Sequence, residues 1–291
     1  MIKEINRNEY QEFWIVNKGA VFQDSNWLDC VLGHGEKALF YGKYVGNTLD
    51  NAFPLVIRKG RLFSFVNQAL STPFLGWVKP EDPELIRQFV KKIKLTGYWY
   101  AVNQQVSDWK STVTYQIDLT KEKKVLFNNL RKDKQRNIKK AINDKISISI
   151  ESDIEKIMTL VIMSLKRQNK SFEDLSYVQK ILSDYTNHFQ VNAWDGETCL
   201  SSLLFVYDTT TVYYILGGFN TKINNYTAGP FAMWNAILKA KEMGIQVFDF
   251  EGSIIPNIAE YFSSFGSVKK YYSYIYDYKW YFRFLKRIIK C

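Results

Sequence analysis

The stretch Phe248-Asp249-Phe250-Glu251 has the clearest capacity for acid–base chemistry in this sequence. Alternate side chains of a strand share a face, so Phe248 and Phe250 point one way and Asp249 and Glu251 the other. The pair stands at the C-terminal end of its strand, the edge where open α/β sheets keep their ligands. Two neighbouring carboxyls can divide the work, one moving a proton while the other orients it or tunes its pKa. The plainer alternative is local: Asp249 bonds to a loop and Glu251 caps the turn at Gly252-Ser253. Tyr213 and Tyr214, on an earlier strand, face opposite sides, so one joins the core and the other can offer its hydroxyl. Nucleophilic and metal chemistry find little support. Cys199 and His188 have no orienting Asn or Asp motif beside them, and no C-x-x-C or H-E-x-x-H occurs. No metal is expected.

Positive charge is concentrated in two segments. Lys121 to Lys145 holds ten Lys and Arg against Glu122, Asp133 and Asp144, a net of +7. Gly266 to Cys291 holds seven against Asp277, a net of +6, in a chain whose total is +10. Clustered charge suits phosphate-bearing partners, and Arg131, Lys132, Arg136 and Lys139 are candidates to hold one. Two solvated helix faces would look the same. Lys166 and Arg167 close another helix, where cations are favoured in any case.

The elements that must position these residues read as α/β throughout. Helical spacing marks Asn8 to Val16 and, after Pro83, a helix through Lys94; Lys37–Tyr44, Asn51–Arg58, Gly60–Val66, Tyr98–Gln104 and Thr112–Leu119 read as strands. Ser71-Thr72-Pro73-Phe74-Leu75-Gly76 is turn chemistry and should carry a loop across a surface. From Thr120 one basic helix runs to about Asp144. A helix from Ile154 past Leu165, another from Leu175 to Phe189, and strands at Val191–Trp194, Thr198–Tyr207 and Thr211–Gly217 follow. Gly229-Pro230 opens a helix to Met243. Val247–Phe250, a short helix Ile258–Phe265, and Lys269–Tyr278 complete the order. Lys279 to Lys290 has a basic, amphipathic helical period; docking of its apolar side on the protein is the expected outcome, with lipid contact as the alternative. The two halves share a rough pattern of helix, strands, helix, strand without repeated identity.

Hydrophobic residues make up 46% and charged residues 23% of the 291, which excludes a disordered chain or a small disulfide scaffold. Three cysteines fit a reducing compartment. The N-terminus has no apolar h-region, and eighteen apolar residues never run together. A cytoplasmic protein without an integral membrane segment is expected.

The second half resembles the GNAT acyltransferase superfamily, specifically its Fem-type branch, which includes aminoacyltransferases that move an amino acid from tRNA. The resemblance rests on Leu130-Arg131, Arg136-Asn137-Ile138-Lys139-Lys140-Ala141, Tyr213 to Gly218, Trp234 to Gly244, Phe248 to Ser253 and Phe265-Gly266, in that order. It implies two tandem GNAT-like domains, each a mixed sheet flanked by helices. Residues 1–118 would form a degenerate first domain, 119–278 the domain with the active site, and 279–291 a basic C-terminal helix. Its fourth and fifth strands, Val212–Gly217 and Val247–Phe250, would splay, and the donor's acyl arm would enter between them. Gly217, Gly218, Thr227, Ala228 and Gly229 would then border the donor, with helix N–H groups offered to its phosphate. The Arg/Gln-x-x-Gly-x-Gly/Ala turn of acetyl-CoA enzymes is missing, and Pro230 removes one N–H.

The resemblance further implies Glu251 as base for the acceptor amine, Asp249 as its orienter, and Tyr214 as donor to the oxyanion. GNAT enzymes often carry an acidic tyrosine four residues before a glycine; that position is Phe262, with Tyr261 turned about 100° away. Packing is expected of Phe262. Lys166 and Arg167 would border the acceptor. The expected activity is transfer of an acyl or aminoacyl group, from acyl-CoA or aminoacyl-tRNA, to an amine on a small-molecule or cell-envelope precursor. The alternative is an inactive GNAT-like module that binds nucleotide-linked ligands or RNA.

Overall fold

The computed structural model describes residues 1–93, 95–167, 175–252 and 255–282. Its contacts divide the chain into two compact units, Met1–Thr112 with Tyr271–Cys291, and Val113–Lys270.

Unit 1 starts with β1 (Ile2–Ile5), α1 (Arg7–Val16), a 3-10 turn (Val21–Gln23) and α2 (Ser25–Val31). The antiparallel strands β2 (Glu36–Val45), β3 (Thr48–Lys59) and β4 (Ser64–Asn67) follow, then α3 (Pro83–Lys92) and β5 (Gly97–Val102), which runs parallel to β4. The helices begin where side chains satisfy their first N–H groups: Asn6, Asp24 and Asp82 accept from Glu9, Asn26 and Glu84 at 2.9 Å each. Pro83 suits the first helical turn because it has no N–H to satisfy.

Unit 2 repeats the plan. After β6 (Lys110–Asp118), α4 (Lys123–Asn129) and α5 (Lys132–Asn143) come β7 (Ser147–Ser149), α6 (Ile154–Arg167) and α7 (Ser176–Asp184). Then the antiparallel β8 (His188–Asp195), β9 (Thr198–Tyr207) and β10 (Thr211–Phe219) lead through α8 (Ala228–Glu242) to β11 (Val247–Asp249), again parallel to the strand before the helix. α9 (Pro256–Ser263) and β12 (Val268–Tyr278) follow, and the described chain runs on to Phe282. Strand order in unit 2 is β6-β11-β10-β9-β8-β7, and in unit 1 β1-β2-β3-β4-β5-β12. Each sheet is therefore completed by a strand from the other half of the sequence: β12 pairs antiparallel with β5, Ser273 opposite Val102, and β6 pairs antiparallel with β11. The division expected after residue 118 falls instead before Val113, and Tyr271–Tyr278 closes unit 1.

Three further expectations change. The basic run is two helices, because the Arg131 N–H is taken by the Ser264 carbonyl (2.9 Å) and the helical ladder breaks there. The helix expected to reach Phe189 stops at Asp184; Phe189 lies in β8 and stacks on Phe205 of β9, with ring centroids 5.0 Å apart. The Ser71–Gly76 loop does not cross a surface. Phe74 and Leu75 are buried, and Leu75 bridges Val102 beyond the end of β4. Its N–H donates to the Ala101 carbonyl (2.9 Å), and the Gly76 N–H donates to the Tyr100 hydroxyl (2.8 Å). The buried Gln23 amide donates to the carbonyls of Leu75, Gly76 and Trp77 at 3.1, 3.1 and 2.7 Å. The chain itself thus fills the space where β4 and β5 would part. The helical reading of Lys279 to Lys290 lies mostly outside the described residues.

Gln23→Leu keeps the volume but leaves those carbonyls without a donor, and each bare buried group costs about 1–3 kcal/mol. The variant should lose roughly 3 kcal/mol in urea unfolding.

Candidate active site

In unit 2 the parallel ladder between β10 and β11 has three rungs, Thr211–Val247, Val212–Phe248 and Tyr213–Asp249. Past them a bulge at Ile215 re-aims β10, and the Phe250 N–H turns to the Tyr115 carbonyl of β6 (2.9 Å). The strands separate there. The opening has two faces, and the sequence-predicted residues divide between them.

On one face lies the aromatic core beneath α8. Phe248 and Phe250 are buried in it, and Phe262 stacks on Phe250 at 5.0 Å, so the packing role expected of Phe262 holds. Tyr214 leans on Phe205 (5.5 Å) and Phe262 (6.0 Å). Its hydroxyl sits 2.6 Å from where a Cβ on Gly217 would be, so only glycine leaves room for it. Tyr261, expected to turn away, instead brings its hydroxyl within 4.0 Å of the Gly229 Cβ position, at the start of α8. Ser201 Oγ stands equally close to that position. Neither tyrosine hydroxyl has a hydrogen-bond partner among the described residues, and burial pushes both phenols well above the ordinary value. Both are therefore neutral donors, buried beside the point where β10 and β11 separate. The Lys134 ammonium lies 5.0 Å over the Tyr261 ring, its side chain only 9% exposed.

On the other face are Tyr213, Asp249 and Glu251. Asp249 accepts from the Thr114 hydroxyl, from the Gln116 amide (2.8 Å) and from the Glu251 N–H (2.8 Å). Burial raises its carboxyl pKa, against the pull of these donors. Glu251 sits at φ +58°, a backbone state that non-glycine residues adopt only when held. Its Oε1 is shut from solvent without a hydrogen-bond partner among the described residues. Burial first, and then the charge of Asp249, push its carboxyl well above the ordinary value of 4.5. The contact between Asp249 and Glu251 is made through the Glu251 backbone N–H. Tyr214 is not beside them.

Gly217 and Gly218 lie where a side chain would meet its neighbours, while Gly229 has room around it. A Cβ on Gly218 would lie 2.2 Å from the Leu160 carbonyl carbon, so α6 can press on β10 only there. Asn225, which sequence reasoning passed over, accepts from the N–H groups of Thr227 and Ala228 (2.9 Å each) and from the Thr227 hydroxyl (3.1 Å). Pro230 has no N–H, so Gly229 keeps the one unclaimed donor at the helix start among the described residues. An Asn two residues before the helix N-cap, Thr227, is a common turn former, the signal that marks it.

The basic residues separate similarly. Arg131 is bidentate to Asp133 (2.6 and 2.9 Å) and reaches Glu260 (2.8 Å), tying α5 to α9. Lys132, Arg136 and Lys139 are exposed along one side of α5. Arg167 packs its guanidinium over Phe219 (4.6 Å), and Lys166 is exposed beside it. His188 bonds Ser152 (2.9 Å) and the Tyr185 carbonyl (2.5 Å), while burial raises the Cys199 thiol to about 11, which leaves no nucleophilic pair. Among the described residues no three His, Cys, Asp or Glu side chains gather to hold a metal, and no helix is long and apolar enough to cross a membrane.

Two outcomes check this geometry. Gly218→Ala should destabilise by about 1–3 kcal/mol in denaturant unfolding, since backbone is what the methyl meets. Glu251 holds a proton in the folded state that the unfolded chain releases above about pH 4.5, so its contribution to stability is full below that pH and lost as pH rises through the raised folded value. Glu251→Gln should therefore gain on the native protein in melting temperature as the pH is raised from 4.5.

Residues 190–261, covering β8 to the middle of α9, match the FemAB family. No curated protein matches the chain by sequence. Among solved structures, FemX is similar over 94% of this chain and 96% of its own, with a TM-score of 0.72 and 11% identity. The C-terminal domain of a putative lysylphosphatidylglycerol synthetase from Agrobacterium fabrum aligns over 92% of each chain (TM-score 0.60, 12% identity). A tandem GNAT protein from the clavulanic acid biosynthesis pathway aligns over 96% and 98% (TM-score 0.56, 9% identity). The parting parallel strands, present once in each unit and self-filled in the first, together with these likenesses, make this a Fem-type fold of two GNAT-like units in tandem.

Proposed function

We propose that the chain is an N-acyltransferase that moves an aminoacyl group from tRNA to an amine of a cell-envelope precursor. The observation that carries the reading is the separation of the strands past Tyr213 and Asp249, with a carboxyl on one face and two phenols on the other that have no hydrogen-bond partner among the described residues. An acyl carbon held in the gap meets the amine from the Glu251 side. The amine nitrogen bonds to the carbonyl carbon, its proton passes to the Glu251 carboxylate, and the oxyanion takes hydrogen bonds from the Tyr214 hydroxyl and the Gly229 N–H. As the carbon–oxygen bond to the ribose breaks, the Tyr261 hydroxyl supplies a proton to the leaving oxygen. Water returns that proton from Glu251 to solvent and restores Tyr261.

The start of α8 supports tRNA as the donor. A pyrophosphate cradle needs several aligned N–H groups, and Asn225 already occupies two. Phosphate recognition then falls to Lys132, Arg136 and Lys139, whose spacing along α5 suits a nucleic-acid backbone rather than one coenzyme A.

Transfer from charged tRNA to a defined amine acceptor tests this. Turnover should rise with pH through the raised Glu251 value, above the ordinary carboxylate range. Glu251→Gln and Tyr261→Phe should each lower it about 10²–10⁴-fold with the fold intact. Lys132→Ala, Arg136→Ala and Lys139→Ala together should flatten the log–log salt dependence of RNA binding by about 2, at roughly 0.7 per phosphate. Turnover with acetyl-CoA that ignores the three substitutions would replace tRNA by a thioester donor. An absence of transfer from either donor, with RNA binding retained, would favour an inactive module.

A further inference from the structure

Unit 1 presents an apolar and basic patch that the transfer reaction does not use. The β3–β4 hairpin turns through Lys59-Gly60-Arg61-Leu62-Phe63, closed by the Gly60 N–H to the Phe63 carbonyl (2.8 Å). Leu62 at its tip is 81% exposed. The same end of the sheet carries the chain after β12. Thr96, just before β5, donates its N–H to Ser64 (2.7 Å), and Lys279 donates its N–H to Thr96 (2.9 Å). The turn that follows brings Phe282 against Phe63 and Phe65, at 5.2 and 4.9 Å between ring centroids. It leaves Trp280 79% exposed. Two large apolar side chains, more than 200 residues apart in sequence, thus stand in solvent on one end of one unit. Isolated exposed hydrophobics need no explanation, but a leucine and a tryptophan set at the same end of one unit, flanking a packed aromatic anchor in sequence, do.

Their surroundings name the partner. Arg58, Lys59, Arg61 and Lys279 are all exposed around them. Two carboxylates lie near them in the strand register: Glu36, opposite Arg58, is occupied by the Gly33 N–H and the Asn67 amide, and Asp277, opposite Tyr98, accepts from the Tyr278 N–H (2.7 Å), so four cations face two engaged carboxylates. A second protein copy would bring the same positive charge to this patch and repel it. An anionic lipid surface supplies the opposite charge, and tryptophan is enriched where headgroups meet acyl chains. One amphipathic segment alone gives weak, reversible attachment, and stable attachment takes two signals. In sequence, residues 283–291 add four more Lys and Arg with Phe, Leu and Ile between them; the hairpin tip is the second signal, supplied by the fold.

We infer that the β3–β4 hairpin tip and the turn at Trp280 form a peripheral docking site for an anionic membrane surface. The full chain should co-sediment with vesicles of phosphatidylcholine containing phosphatidylglycerol at physiological salt, and not with phosphatidylcholine alone. Leu62→Ser with Trp280→Ser should weaken this about tenfold or more with little shift in melting temperature, since both side chains are largely exposed. Arg61→Ala and Lys279→Ala should each weaken it about fivefold. Failure of the native protein to bind anionic vesicles overturns the inference. So does undiminished binding of the double variant, even where deletion of 283–291 abolishes it. Self-association in light scattering that the double variant loses, without vesicle binding, would assign the patch to a second copy and overturn it as well. Binding is read without any acyl donor, so its failure leaves the proposed transfer reaction standing, and the reverse holds too.

Discussion

The Asp249 carboxylate holds open the far end of a parallel ladder. A strand that leaves its parallel neighbour would expose bare backbone groups unless something else took them. Here β6 receives the departing chain through Tyr115, while Thr114, Gln116 and the Glu251 N–H converge on Asp249. That convergence keeps Glu251 in a left-handed backbone state and its carboxyl in the dry interior. The rest of unit 2 follows from the opening. Gly217 yields space to the Tyr214 hydroxyl, Gly218 yields space to α6, and α9 delivers Tyr261 from the far side. A buried carboxyl without a partner is costly, and sites for chemistry are where such costs are found.

Unit 1 shows what the same topology looks like when closed. Its strands β4 and β5 also run parallel and would also part, but Leu75 and Gly76 occupy the space. Gln23 and Tyr100 are the polar groups that make this plug affordable, because they satisfy its buried backbone. One fold therefore appears twice in the chain, once with a gap and once without.

Local pattern was legible where one backbone state persists over many residues. Thr198–Tyr207 matches its sequence reading residue for residue, and the α6 stripe and the Pro83 helix start are close to theirs. β1 and α2, four and seven residues long, carry too little period to be seen. The failures elsewhere share a cause: the deciding partner is far away in sequence. Ser264 breaks the basic helix at Arg131, and Phe205 draws Phe189 into a strand. At the site, alternation placed Asp249 and Glu251 on one face, but the same rule could not say that Tyr214 lies across the sheet from them. The angular rule that dismissed Tyr261 is sound for a helix in isolation. It says nothing about where the helix itself is set down, and α9 is placed so that Tyr261 rather than Phe262 borders the opening.

The exchange of closing strands between the two halves bears on how the protein is made. Domains usually fold in order as they leave the ribosome, the N-terminal one first. Here the outer edge of β5 waits for β12, which emerges about 170 residues later, or roughly 10–30 s at ordinary rates of synthesis. During that interval the edge shows unpaired N–H and C=O groups lined with Tyr98, Trp99 and Tyr100, a template for pairing with another nascent chain. The adjacent strand in sequence, β6, cannot relieve it, because its place is beside β11. The first half becomes complete only as the second does.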